Sequence, residues 1–181
     1  MEQDRQLIIN YLSGNGDAVE ELVMKYQKMV FALTYRMIND VEEARDLTQE
    51  TFIRAIKGLK KFRMEASFKT WLYRIAANVC INRMRRNVPD ETDFHETTLT
   101  SEASSLNSVI KKEKELYLRK SMDMLPGRQK LAITLRVYEG FSCRETAEVM
   151  GCSEGAVKAH YHNGVKRMRE ILKEQGYETR S

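Results

Sequence analysis

Helix-breaking residues are scarce in this sequence, with two prolines and nine glycines among 181 residues. Apolar residues never form a run near the ~20 positions that a membrane-spanning helix requires. The opening MEQDRQLIIN lacks the basic-then-apolar layout of a secretory signal. Leu, Met, Ala, Glu, Lys and Arg are abundant instead and favour helices joined by short connections. We therefore expect an all-α protein with a cytoplasmic location.

Cysteine is also scarce, and its spacing argues against two common scaffolds. Cys80, Cys143 and Cys152 are odd in number, far apart and without a CxxC pair, so neither a disulfide framework nor a zinc module is indicated. His160 and His162 would point to nearly opposite sides of a helix and could not share one ion. A glycine-rich phosphate loop and a nucleophile–base pairing are missing too. We therefore expect a protein that binds no metal or cofactor, has no catalytic residue and is not an enzyme.

Charge is unevenly distributed, although the net value is only +4. Basic residues crowd the stretch from Arg54 to Arg86, where Glu65 is the single acid. From Asn87 to Ile110 the sign reverses, with several acids and neither Lys nor Arg. Clustered cations are a typical footprint of nucleic-acid binding, so the distribution is more informative than the sum.

The acidic stretch predicts a flexible linker between two small helical domains. It is rich in Ser and Thr, contains a proline and has no sustained apolar period. We place the domains at residues 1–87 and 111–181 and the linker at 88–110. A linker of this length could extend to ~70 Å, whereas one turn of duplex DNA is ~34 Å. The domains could therefore contact DNA sites more than a turn apart.

Helical periodicity runs through both domains. D-x-x-E start signals at Asp17 and Asp40 precede apolar residues at helical spacing, and a third helix is expected from about Ser67. In the second domain a Pro126-Gly127 break precedes a helix that ends near Gly140.

A helix-turn-helix is predicted directly after the helix that ends near Gly140. Ser142 and Glu145 form an S-x-x-E capping box, Gly151 permits a tight turn, and Ser153 caps the second helix. The packing stripe of the second helix is expected to comprise Val157, Tyr161, Val165, Met168 and Leu172.

The opposite side of this second helix is suited to contact DNA. Its small residues allow close approach, Asn can pair with adenine, and Lys or Arg neutralise phosphates. The candidate DNA-binding residues are Ser153, Gly155, Lys158, Ala159, His160, His162, Asn163, Lys166 and Arg167. On periodicity alone a merely solvated face explains them equally well, and the tight capped turn favours DNA.

Motifs across nearly the whole chain resemble the extracytoplasmic-function (ECF) sigma factors of bacterial RNA polymerase. The first domain carries DLTQETF and FKTWLYRIAAN, which are similar to the D-L-x-Q-E-x-F and F-x-T-W-L-Y-R-I-A-x-N signatures of sigma region 2. The second carries LPGRQ and SEGAVK, similar to the L-P-x-x-x-R/Q start and S-x-G-x-V-K turn of region 4. The resemblance implies binding to core RNA polymerase and promoter DNA, and an anti-sigma factor, often membrane-bound, as a further partner.

The same resemblance distributes roles along the chain. It implies that the first domain binds polymerase and opens the minus-ten element, while the helix-turn-helix reads the minus-thirty-five element. The polymerase-binding candidates are Asp46, Gln49, Glu50 and Ile53, a mixed acidic and apolar strip suited to a basic partner helix. The minus-ten candidates are Arg63, Trp71, Arg74, Asn78, Asn82, Arg85 and Arg86. For Trp71, packing in the core and contact with DNA remain equal alternatives.

One rival interpretation belongs to another functional class. A helix-turn-helix repressor or activator would bind two symmetric operator half-sites as a dimer, without polymerase. The sequence contains no evident effector domain or dimerisation helix, and the basic stretch from Arg54 to Arg86 would have no purpose in such a protein.

Overall fold

The computed structural model describes residues 2–86 and 106–176, and within 106–113 it describes the backbone only. Every regular element in these residues is a helix, which confirms the all-α prediction. The expected acidic linker falls largely on residues 87–105, which lie outside the described residues. Across the described ranges, none of the helices is both long and apolar enough to cross a bilayer.

The N-terminal domain consists of four helices. They are α1 (Glu2–Leu12), α2 (Asp17–Ile38), α3 (Val41–Gly58) and α4 (Phe68–Arg86), with a short 3-10 turn (Leu59–Lys61) after α3. Helix α1 was not anticipated from the sequence. It is held by buried Leu7 and Ile8 and by Asp4, whose carboxylate accepts hydrogen bonds from Lys25 at 2.6 Å and from the Tyr26 hydroxyl at 2.9 Å.

Two of the three expected helix starts are confirmed in detail. The Asp40 side chain accepts a hydrogen bond from the Glu43 N–H at 2.8 Å. Ser67 Oγ likewise accepts from the Thr70 N–H at 3.0 Å, one residue before α4. Asp17 is the first residue of α2 but does not cap it, because the N-cap is Gly16 and Asn15 Oδ1 accepts from the Asp17 N–H. The D-x-x-E pattern located this helix correctly and assigned the wrong capping residue.

The C-terminal domain contains the other helices of the described chain. They are α5 (Leu106–Asp123), α6 (Gly127–Ile133), α7 (Cys143–Met150) and α8 (Glu154–Glu174). Helix α6 continues through a π-helical turn at Thr134–Tyr138, which closes with a 3.1 Å bond from the Glu139 N–H to the Thr134 carbonyl. Gly140 then adopts a left-handed conformation at φ 68° and ends the element where the sequence predicted.

The two domains pack against each other and share a continuous core. Helix α4 contacts α6 and α7, and α2 contacts α6. Tyr73 of α4 and Phe141, just before α7, are both buried, with ring centroids 4.9 Å apart. The sequence indicated two domains but not this interface between them.

The three cysteines are unpaired thiols. Cys80 is fully buried in the core, and this burial raises its pKa to about 12. Cys143 and Cys152 are half-buried near the helix-turn-helix turn. Among the described residues no group of His, Cys, Asp or Glu is arranged to hold a metal ion.

Candidate nucleic-acid interface

The helix-turn-helix consists of α7, a tight turn and α8. Both halves of the predicted capping box are present: the Glu145 N–H donates to Ser142 Oγ at 3.1 Å, and the Ser142 N–H donates to the Glu145 carboxylate at 2.8 Å. Gly151 ends α7 at φ 61°, a conformation that glycine adopts without steric cost. Ser153 Oγ then accepts from the Ala156 N–H at 3.2 Å and caps α8.

Removing the Ser142 hydroxyl should weaken this motif measurably. We expect Ser142→Ala to lower the free energy of unfolding by about 1 kcal/mol, measured by urea denaturation. Ser13→Ala is the control, because the exposed Ser13 hydroxyl caps no helix N-terminus and donates only to the Ile9 carbonyl. The hydrogen bonds from Ser142 lower the pKa of the Glu145 carboxyl. Their stabilising contribution is therefore present at neutral pH and lost as pH falls through the lowered pKa. The difference between wild type and Ser142→Ala should narrow in acid, and a constant difference would contradict the coupling.

Helix α8 presents the predicted face to solvent. Gly155, Lys158, Ala159, His162, Asn163, Lys166 and Arg167 are exposed, as is the capping Ser153, and His160 is half-buried. Val157 and Leu172 are buried as expected, but Tyr161 is 36% exposed and lies at the edge of the packing stripe. Gly164 is buried instead, and a Cβ added there would lie 2.8 Å from Ile133 Cδ1 of α6.

Helix α4 carries the second candidate surface. Arg74, Asn78, Arg85 and Arg86 are exposed, and Asn82 is half-buried and accepts a hydrogen bond from Arg85 at 2.7 Å. Arg63 is exposed in the segment before α4. The face is therefore basic and carries amides within reach of a nucleic acid.

Trp71 occupies an intermediate position between core and surface. Its ring packs against Phe62 and Phe68, with centroids 4.8 and 5.7 Å away. It also lines an open groove of about 340 Å³ with Arg54, Gly58, Lys61, Ile75 and Asn78. The ring thus packs on one side and faces this groove on the other.

Arg54 and Lys61 were counted in the basic stretch but not among the candidate site residues. Both line the groove beside Trp71 and Asn78. Gly58 lies close to the indole, since a Cβ added there would be 3.2 Å from Trp71 Cζ2. The groove therefore places cations and an amide around one aromatic edge, which suits an unstacked base and its phosphate.

Helix α3 presents the acidic and apolar strip. Asp46 and Gln49 are exposed, Ile53 is 52% exposed, and Glu50 pairs with Arg54 at 2.5 Å. Asp46 and Glu50 also line a smaller groove of about 170 Å³ whose other wall includes Asn82 and Arg86 of α4. The candidate polymerase-binding strip and the basic end of α4 are therefore neighbours.

Comparisons with known proteins agree with this geometry. Residues 22–88 match the family model of Sigma-70 region 2, and residues 115–168 match that of Sigma-70 region 4. These two regions define the class of protein as a sigma factor, an initiation factor of bacterial RNA polymerase.

Relatives along the whole chain narrow the class. The RNA polymerase sigma-H factor of Pseudomonas aeruginosa is 36% identical over 94% of this chain and 92% of its own length. The ECF sigma factor SigW of Bacillus subtilis is 30% identical over 89% of this chain and 92% of its own length. The Escherichia coli ECF sigma-E factor is 31% identical over 93% of this chain and 92% of its own length. The chain belongs to the extracytoplasmic-function group of the sigma-70 family.

Solved structures show the same fold. The sigma factor RpoE of Bartonella quintana, in complex with the anti-sigma factor NepR, superposes with a TM-score of 0.66 at 24% identity, over 85% of this chain and 96% of that one. CnrH, in complex with the cytosolic domain of CnrY, superposes with a TM-score of 0.69 at 22% identity, over 94% of this chain and 97% of that one.

Proposed function

We propose that this chain directs core RNA polymerase to promoters with two elements, reading minus-ten bases with α4 and the minus-thirty-five duplex with α8. The observation that carries the proposal is the exposed basic and amide-bearing face of α4, beside the groove at Trp71, in the same chain as a capped helix-turn-helix. An operator-binding protein would need only the second of these surfaces.

Energetics limit what α4 does at the minus-ten element. Opening about ten base-pair steps costs ~14 kcal/mol at ~1.4 kcal/mol each, whereas stacking one base on an aromatic or Arg side chain returns ~1–3 kcal/mol. Helix α4 therefore captures one or two bases that are already unstacked while polymerase holds the rest open. Asn78 supplies base-edge hydrogen bonds, and Arg63, Arg74, Asn82, Arg85 and Arg86 line the path of the strand.

Helix α8 enters the major groove at the minus-thirty-five element. Gly155 and Ala159 permit close approach, Asn163 and His162 reach base edges, and phosphates are neutralised by cations on both sides of this strip. Those flanking cations are Lys158, Lys166 and Arg167, and His160 lies at the edge of the same face.

Regulation and location follow from the same class. We infer a cytoplasmic initiation factor that contributes no catalytic group or cofactor of its own. An anti-sigma factor that blocks polymerase binding is the expected regulator, and the solved complexes of RpoE with the anti-sigma factor NepR and of CnrH with the cytosolic domain of CnrY support this proposal.

Transcription in vitro tests the proposal. Purified core polymerase with this protein should produce promoter-specific transcripts from genomic templates, and core polymerase alone should not. If no such transcript appears while the free protein footprints symmetric operator half-sites tightly, the protein is an operator-binding regulator instead.

The residue assignment on α4 makes a sharper prediction. Asn78→Ala should reduce promoter opening about 10- to 100-fold, because a base readout is worth ~1–3 kcal/mol, while affinity for core polymerase stays unchanged. Permanganate footprinting measures the opening, and fluorescence anisotropy measures the binding. Asn163→Ala is the matched control: it should weaken binding to the minus-thirty-five duplex and leave minus-ten opening intact on a preformed complex. Equal loss of opening and of core binding in Asn78→Ala would refute the assignment.

A further inference from the structure

Arg54 of α3 borders two grooves of the N-terminal domain. It lines the larger groove together with Trp71 and Asn78, and it lines the smaller groove together with Asp46 and Glu50. The larger groove belongs to the candidate minus-ten surface, and the smaller one to the candidate polymerase-binding strip. Among the described residues that line either groove, Arg54 alone lines both. Its side chain therefore lies where the two candidate surfaces meet.

Arg54 is held in the free protein by an ion pair on its own helix. Its Nη2 donates to Glu50 Oε1 at 2.5 Å. The two residues are one helical turn apart, and their side chains are 49% and 43% exposed. Water and salt screen a pair this exposed, so it shifts an equilibrium by only about twofold. Glu50 therefore orients Arg54, and a stronger partner can displace either member of the pair.

Acidic residues of α3 form a row along the smaller groove, with a paired arginine at each end. Glu43, Asp46 and Glu50 follow each other at three- and four-residue steps, and all three line this groove. At one end of the row, Glu43 pairs with Arg83 of α4. At the other end, Glu50 pairs with Arg54. A basic helix that docks on the row therefore competes with arginines of this chain for the same carboxylates.

The larger groove offers Arg54 a different partner. Arg54, Gly58 and Lys61 follow each other at four- and three-residue steps and line this groove together. A Cβ added at Gly58 would be 3.2 Å from Trp71 Cζ2, so the missing side chain leaves room for the indole edge. A base stacked on the indole brings its phosphate close to these cations. Arginine binds phosphate through two parallel N–H···O bonds, and such a charged contact shifts an equilibrium by about tenfold or more.

We propose that Arg54 couples polymerase docking to base capture by exchanging one partner for another. When a basic helix of core polymerase binds Glu50, Arg54 leaves the ion pair, turns towards Trp71 and binds a phosphate of the unstacked strand. The side chain changes partner through its own torsion angles, without movement of α3. The exchange is favourable because a contact worth about tenfold replaces one worth about twofold. It rests on the proposed function for its polymerase partner, whereas the restraint of Arg54 by Glu50 does not.

Fluorescence of the free protein tests the restraint of Arg54. Trp71 is the single tryptophan of the chain and lines the groove, so stacking of a base from a short oligothymidine should quench it. Glu50→Gln should raise the affinity for oligothymidine about threefold, because the fraction of unpaired Arg54 sets the apparent affinity. This gain should vanish in an Arg54→Gln background. Glu42→Gln is the matched control, because Glu42 pairs with Arg45 on the same helix and lines neither groove.

The complex with core polymerase tests the exchange itself. The probe is the non-template strand of a promoter found by transcription in vitro. Arg54→Gln should lower the affinity of the complex for this strand about tenfold. It should also reduce the slope of log affinity against log salt by about 0.7, the value for one phosphate contact on a single strand. The same substitution should change oligothymidine binding by the free protein by no more than about twofold. Arg45→Gln is the matched control and should leave strand affinity unchanged.

Three results would overturn the exchange. Equal loss of strand affinity in the free protein and in the complex would make Arg54 a permanent DNA contact, and no loss in either would confine it to its pair on α3. A Glu50→Gln variant that binds oligothymidine no better than Glu42→Gln would show that Glu50 does not restrain Arg54. If Arg54→Gln does not fold, Arg54→Lys decides instead: it should keep the salt slope and lose strand affinity, because lysine lacks the two parallel donors. If no form of the protein binds core polymerase, the proposed function fails, while Trp71 fluorescence still decides the restraint.

Discussion

Changing Asp46 and Glu50 together to lysine is expected to lower the affinity for core RNA polymerase by more than about a hundredfold. The two carboxylates are one helical turn apart on α3, beside the 52% exposed Ile53. If this strip docks on a basic helix, reversal places like charges in direct contact, which costs several kcal/mol. About 1.4 kcal/mol corresponds to each factor of ten in affinity.

The fold should survive this double substitution. Asp46 is exposed, and the Glu50–Arg54 pair joins residues one turn apart with side chains 43% and 49% exposed, so its loss costs only about 0.3–0.5 kcal/mol. Fluorescence anisotropy with labelled protein measures the core affinity, and circular dichroism checks the helix content. Glu21→Lys, an exposed reversal on α2, is the control and should bind normally. Retained affinity in the double variant would remove α3 from the polymerase interface.

Local signals in the sequence were sufficient to predict much of the DNA-reading machinery. The capping box at Ser142, the left-handed Gly151 and the cap at Ser153 each depend on residues within three positions of one another, so a sequence pattern contains them completely. The exposed face of α8 follows from the same helical period. Only Tyr161 departed from the expected stripe, with 36% of the residue exposed. On this part of α8, Gly164 lies against Ile133 and Gln129 of α6 instead.

The polar contacts that Glu139 and Lys130 make between the two domains could not be predicted in this way. Glu139 follows a helix and Lys130 lies one turn inside it, positions where charged side chains are normally solvated. Their partners, Arg36, Tyr73 and Met37, are more than 60 positions away in sequence. Such pairs depend on how two folded domains pack against each other, and the periodicity of apolar residues within one helix carries no information about that packing. Helix α1 was not predicted for a related reason, since Asp4 of α1 is hydrogen-bonded to Tyr26 of another helix.

Gly164 carries the other large effect, and it concerns stability. We expect Gly164→Leu to lower the free energy of unfolding of the C-terminal domain by about 3 kcal/mol or more, which is the upper range for overpacking. A Cβ at this position would lie 2.8 Å from Ile133 Cδ1 and 3.2 Å from Gln129 Cβ. The Ile133 methyl can rotate away, but the Gln129 Cβ is fixed to the backbone of α6. Larger side chains must therefore push α8 away from α6.

A graded series separates overpacking from simple loss of glycine. Gly164→Ala should have a small net effect, because about 1 kcal/mol of helix propensity offsets the tight contact. Gly155→Leu, on the same helix, should not destabilise the protein, because the nearest atom to a Cβ there is 3.8 Å away. Thermal unfolding followed by circular dichroism ranks the variants, and limited proteolysis should cut Gly164→Leu first between α6 and α8. Equal stability of Gly155→Leu and Gly164→Leu would contradict the close helix contact. Because no DNA contact is assigned to Gly164, loss of minus-thirty-five binding in Gly164→Leu would come from displacement of the recognition helix alone.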